Sequence, residues 1–169
     1  PLYHRVVKSL LNSPLIDQIV IDTDSEIIEQ DVSQNFPEVI LLKRPENLRG
    51  DTVPMNDILL YDVSQVEGDF YLQTHSTNPL LTHKTINNAI ELFLANYPIY
   101  DSLFGVTRLQ TRLWDSLTRA VNHNPAILLR TQDLPPIYEE NSCLYIFNCN
   151  TLEFKHKFKL LPKHLRFNI

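Results

Sequence analysis

The chain has 169 residues, of which 43% are hydrophobic and 21% charged, and its formal net charge is −5. Those proportions describe one ordinary folded domain and exclude a disordered chain. A mean hydropathy of −0.17, with no apolar run of about 18 residues, excludes a membrane-spanning helix, and the acidic balance argues against a general nucleic-acid binder.

In chain order, residues 2–11 predict a helix, with Leu2, Val6 and Leu10 on one stripe, ended by Asn12-Ser13-Pro14. Residues 18–22 predict a short strand buried on both faces. Thr23 followed by Glu26 has the spacing of a capping box, so a helix is expected to about Gln34. A second apolar strand covers residues 39–42, and residues 44–51 form a polar loop. A helix is expected over 54–63, and Gly68-Asp69 turns into a strand at 70–73. Residues 82–96 carry the clearest helical face: Ile86, Ala89, Ile90 and Phe93, with Tyr97 beyond. Strands are expected at 103–108 and 143–147, with an irregular, proline-bearing stretch at 109–142 between them. A short helix is expected after 147, and an extended segment at 165–169. Strands alternating with helices predict a largely parallel α/β sheet with ligands at the carboxyl rim of its strands.

Glycine is scarce, at 3 residues against 11 prolines, so a glycine-rich phosphate loop is excluded within these residues. Cys143 and Cys149 are six positions apart, about 20 Å in a continuous strand, well beyond the roughly 7 Å reach of a disulfide. Two unpaired thiols suit a cytoplasmic setting, and no signal peptide is expected. The histidines have no metal-ligand spacing. All 20 acidic residues lie at or before Glu153, whereas Lys155, Lys157, Lys159, Lys163 and Arg166 follow it. That alternation, if extended, puts the first three lysines on one face, either solvated or facing a phosphate or a partner.

Three segments carry candidate chemistry. Asp22-Thr23-Asp24 follows a strand, where two carboxylates suit either Mg²⁺ or the positive end of a helix. Arg44 and Arg49 lie in the loop after the second strand, where a guanidinium fork suits phosphate. Residues 72–80, Leu-Gln-Thr-His-Ser-Thr-Asn-Pro-Leu, put seven polar or turn residues after a buried strand and without glycine, which suits a ligand.

Together these segments carry a resemblance. Their order is Thr23-Asp24-Ser25, Arg44-Pro45 with Asp51-Thr52, Leu72-Gln73 with Asn78-Pro79-Leu80, and Gln132-Asp133-Leu134-Pro135 with Glu140-Asn141-Ser142 and Tyr145-Ile146-Phe147. The ordered set resembles the acylneuraminate cytidylyltransferase family, the CMP-sialic acid synthetases and their relatives, over essentially the whole chain. The resemblance implies a Rossmann-like, three-layer nucleotidyltransferase fold with a mostly parallel sheet. It implies transfer of CMP from CTP to the anomeric hydroxyl of an acidic nonulosonic sugar such as N-acetylneuraminate, with Mg²⁺ assisting and pyrophosphate leaving.

Carried over by position, Arg44 corresponds to the arginine that faces the nucleotide phosphates, and Gln73 to the glutamine that contacts the sugar. Asn78 shares that loop. The loop is two residues longer than the family's usual one, so His75 is the alternative occupant of the glutamine's place. Gln132 and Asn141 correspond to the crossover motif near the sugar and the dimer edge. The resemblance implies residues 1–169 as a single domain, incomplete at both ends, and 109–142 as a protruding crossover and dimerisation segment of a homodimer. No catalytic residue is assigned within the chain. The family's phosphate loop is expected before Pro1 and its metal-binding Asp-x-Asp after Ile169, so the Mg²⁺ ligands are expected outside these residues and the chain alone is not expected to be competent. A non-catalytic relative kept for binding or dimerisation is the alternative, and a glycosyltransferase using Asp22-Thr23-Asp24 is a third reading.

Overall fold

A computed structural model describes residues 1–148 and 164–168. Helices α1 (Tyr3–Leu11), α2 (Glu26–Asn35), α3 (Met55–Gln65) and α4 (His83–Asn96) alternate with strands β1 (Val20–Thr23), β2 (Ile40–Lys43), β3 (Phe70–Thr74) and β4 (Ser102–Leu109). They are followed by β5 (Ile137–Asn148) and β6 (His164–Asn168). β1 and β2 form a parallel pair, and the other strands form a sheet in the order β3-β5-β4-β6. β5 runs antiparallel to both of its neighbours while β4 and β6 are parallel, so three of the four strands point the same way.

The sequence dictates most of this through burial. On α4, Ile86, Ala89 and Phe93 are at most 1% exposed. They recur at helical spacing and pack on Leu103, Leu144 and Ile146 of the sheet. Burying a residue such as Phe93 or Ile86 is worth roughly 1.5–3 kcal/mol. The helix starts where Thr82 accepts the Thr85 amide at 3.2 Å, which satisfies one of the helix's orphan donors. A second core joins Val7 of α1, Val32 of α2, and Phe36, Ile19 and Val39 beside the β1–β2 pair. Leu10 and Ile16 touch both cores and tie the two sheets together.

Three local expectations are corrected. The Thr23–Glu26 capping box does not form. Thr23 is buried in β1, its Oγ1 accepts the Ser25 amide at 3.2 Å, and Ser25 occupies the cap position without a side-chain bond. Glu26 is therefore the first helical residue, too early to close a box. β5 begins at Ile137, six residues before the expected Cys143, because antiparallel pairing with β4 resumes beyond a bulge. The crossover is also less irregular than expected. Trp114 bridges Ala120 across a tight turn held by Asp115 and Arg119, and the Asn122 side chain ties Leu113 to Thr111. The short helix expected after residue 147 and the Lys155, Lys157 and Lys159 face lie outside the described residues.

Candidate active site

Two groups of polar side chains converge at the carboxyl ends of strands. The first lies after β1 and β2. The parallel register sets Thr23 beside Lys43, and the Arg44 amide donates to the Thr23 carbonyl at 2.9 Å. The chain then places Arg44 over β1, where its Nε donates to Asp22 Oδ2 at 2.8 Å. The side chains of Asp22 and Arg44 are 6% and 24% exposed. Asp62 of α3 completes the group. Burial, and next the Asp22 carboxylate, push the Asp62 carboxyl up to about 6, while Arg44 pulls it down. The Oδ1 atoms of both aspartates are buried without a hydrogen-bond partner among the described residues. Arg49 braces the loop by donating from Nε and Nη2 to the Arg44 carbonyl.

The second group is built on a β-bulge. Phe104 pairs with Tyr145 and Val106 with Glu140, so Gly105 alone faces residues 141–144 of β5. The extra residues loop out, with Ser142 in the left-handed region at φ 54°. Asn141 anchors the bulge: its Nδ2 donates to Thr107 Oγ1 at 3.1 Å, and its Oδ1 accepts the Cys143 amide at 3.1 Å. Asn78 Nδ2 reaches the Ser142 carbonyl at 3.4 Å, which joins the loop after β3 to the bulge. The Tyr145 hydroxyl donates to Glu140 Oε1 at 2.5 Å and lies 3.1 Å from Ser142 Oγ. Burial, then the Glu140 hydrogen bond, raise its pKa, and burial also raises that of the free Cys143 thiol.

Gln73 is in register with Tyr145, and the His75 ring meets the Tyr145 ring edge-on at 6.5 Å. Residues in register share a sheet face. On that face also lie Arg108, opposite Tyr138, and Arg166, whose guanidinium sits 4.3 Å from the Tyr138 ring centre.

The residues singled out in the sequence thus divide. Gln73, His75, Asn78 and Asn141 come together around the bulge. Arg44 belongs to the group with Asp22. Gln132 is exposed in a single 3₁₀ turn, Thr131–Asp133, where its carbonyl is 3.5 Å from Gln110 Nε2. Sequence reasoning missed Asp62, although an acid inside the apolar run Ile58-Leu59-Leu60-Tyr61-Asp62-Val63 was a legible signal. It also assigned no role to Glu140, Tyr145 or Arg108 and read Arg166 only as part of the basic end of the chain; their shared face is revealed only by strand pairing.

The Asp22–Asp24 pair does not suit a metal. Asp22 gives Oδ2 to Arg44, Asp24 is exposed, and among the described residues no group of three or more His, Cys, Asp or Glu is disposed to hold an ion. No described helix is long and apolar enough to cross a membrane.

The whole architecture has counterparts among solved structures. It superimposes on a CMP:2-keto-3-deoxy-manno-octonic acid synthetase complexed with CTP, with a TM-score of 0.69 at 12% identity, over 100% of this chain and 80% of that one. It superimposes on a 4-diphosphocytidyl-2C-methyl-D-erythritol synthase from Anaerococcus prevotii with a TM-score of 0.68 at 10% identity, over 99% and 76%. A cytidylyltransferase from Leptospira borgpetersenii gives 0.62 at 15% identity, over 99% and 65%. These likenesses show the fold, the Rossmann-like α/β fold that the sequence led us to expect. No curated protein matches the chain in sequence. The family model described as cytidylyltransferase, however, matches residues 1–165, nearly the whole chain, and the chain therefore belongs to the cytidylyltransferase family.

Proposed function

We propose that this protein transfers CMP from CTP to the anomeric hydroxyl of an acidic nonulosonic sugar such as N-acetylneuraminate, releasing pyrophosphate. The sugar oxygen forms the new bond to the α-phosphorus, the bond from that phosphorus to the bridging oxygen of pyrophosphate breaks, and the hydroxyl proton is released. Such a displacement needs the two reactants aligned and the phosphate charge neutralised. The observation that carries the reading is the meeting of the β3 loop with the β5 bulge. It brings Gln73, His75 and Tyr145 onto the sheet face that also bears Arg108 and Arg166, with Asn78 bonded to the bulge that Asn141 anchors. Amide and hydroxyl groups there suit sugar hydroxyls, and arginines suit a sugar carboxylate. Arg44 suits the triphosphate. Gln132 is expected near the sugar and the dimer edge, where the crossover 109–142 is expected to reach a second copy of the chain. Mg²⁺ is expected to assist by neutralising phosphate charge.

One observation favours the second reading, a non-catalytic relative kept for binding or dimerisation: the Arg44 charge is already engaged by Asp22. The deciding experiment supplies the full-length protein with CTP, Mg²⁺ and N-acetylneuraminate or a related nonulosonate and measures pyrophosphate. Release that depends on the sugar supports the transferase. CTP binding without release, across a panel of such sugars, supports the non-catalytic relative.

A further inference from the structure

The group formed by Asp22, Arg44 and Asp62 holds more negative charge than positive. Two carboxylates face one guanidinium, and the Asp22 side chain is 6% exposed with one oxygen unpartnered. A carboxylate buried so incompletely satisfied is costly. A negative charge beside a triphosphate also repels it, so at first sight Asp22 opposes nucleotide binding. The geometry shows what it achieves. Asp22 Oδ2 takes only the Nε hydrogen of Arg44. Among the described residues no hydrogen bond holds Nη1 or Nη2, so the terminal fork of the guanidinium remains available. A planar fork with two parallel N–H donors matches two phosphate oxygens. A long side chain already held at its inner edge has less freedom to lose when it binds.

We propose that Asp22 is a positioning residue for nucleotide recognition: it clamps the Nε edge of Arg44 so that the Nη fork is presented, pre-ordered, to the phosphates of the nucleoside triphosphate. The clamp comes from the strand register, which carries the end of β2 past the end of β1. Asp62, on a different element, contributes charge without holding the guanidinium. The proposal rests on the reading of Arg44 as the nucleotide-facing arginine and adds the residue that makes it effective.

The two roles open to Asp22 predict opposite signs. If it were only a nearby negative charge, Asp22→Asn would lower the KM for CTP, as Asp62→Asn is expected to do or to leave it unchanged. As a clamp, Asp22→Asn raises the KM for CTP about three- to tenfold in the full-length enzyme, with the sugar KM unchanged. Arg44→Ala raises it about tenfold or more, and adding Asp22→Asn to that variant brings no further loss. Arg44→Lys keeps the charge but loses both the Nε contact and the fork, so it too raises the KM for CTP. It decides the matter if Asp22→Asn does not fold. A KM for CTP that is unchanged or lowered in Asp22→Asn, or unchanged in Arg44→Lys, overturns the clamp. An unchanged KM in Arg44→Ala overturns the reading of Arg44 itself, and the clamp with it.

Discussion

Asp62 shows how much a single residue's surroundings decide. In the unfolded chain its carboxyl has an ordinary pKa of 3.8, whereas burial and the Asp22 charge raise it to about 6 in the folded state. The unfolded state therefore releases its proton first, and this group's contribution falls as pH rises from about 4 to about 6, then levels off. A shift of two units is about 2.7 kcal/mol in full, and solvent screening of a half-buried group reduces it to on the order of 1 kcal/mol. Asp62→Asn is expected to gain about that much stability at pH 7.5 relative to pH 4, read from urea midpoints at the two values. An equal change at both would show that the Asp62 charge is not under strain. At the same scale, Gln73→Ala is expected to raise the sugar KM several-fold and leave that for CTP nearly unchanged, since one neutral hydrogen bond is worth about 1 kcal/mol. His75→Ala tests the alternative alignment. If only the histidine change affects the sugar, His75 takes the glutamine's place.

Among the elements, the β5 bulge was the least legible. Its sequence, Glu140-Asn141-Ser142-Cys143, has a turn-like residue pair but no glycine, and the strand was expected to start only afterwards. Pairing on both sides by β3 and β4 draws the segment into one long strand and forces the surplus residues out, with Ser142 left-handed. That conformation costs a side-chain-bearing residue roughly 1–2 kcal/mol, and glycine escapes it. Both Ser142→Gly and Ser142→Ala lose the hydroxyl near Tyr145, so their difference isolates the backbone. The glycine variant should be more stable than the alanine variant by about 1 kcal/mol in thermal or denaturant unfolding. Equal stability would show that residue 142 is not left-handed in solution. α4, by contrast, was legible almost to the residue, because its apolar period and its Thr82 cap are both local.

For the whole molecule, the crossover carries the prediction about assembly. Trp114 is 53% exposed, Leu117 67%, Val121 58% and Leu128 90%, on a segment braced by its own hydrogen bonds. Large apolar side chains held in water suit an interface with a second copy. Trp114→Ser with Leu128→Glu is expected to shift the protein from dimer to monomer in sedimentation at micromolar concentration, while the monomer's circular dichroism stays unchanged. A wild-type protein that is already monomeric at that concentration would refute the assignment of 109–142.

The α/β class, the four helices and the position of nearly every strand follow from the sequence alone, because they rest on local apolar period and turn residues. The grouping of Gln73, Asn78 and Asn141 was legible only as a resemblance. Its geometry required β3 and β5, some seventy residues apart in the chain, to be set side by side. The parallel β1–β2 register decided that Asp22 meets Arg44, and the packing of α3 decided that Asp62 joins them. Spacing along the chain says nothing of which charges share a buried space; tertiary structure determines that, and with it the charge balance around Arg44.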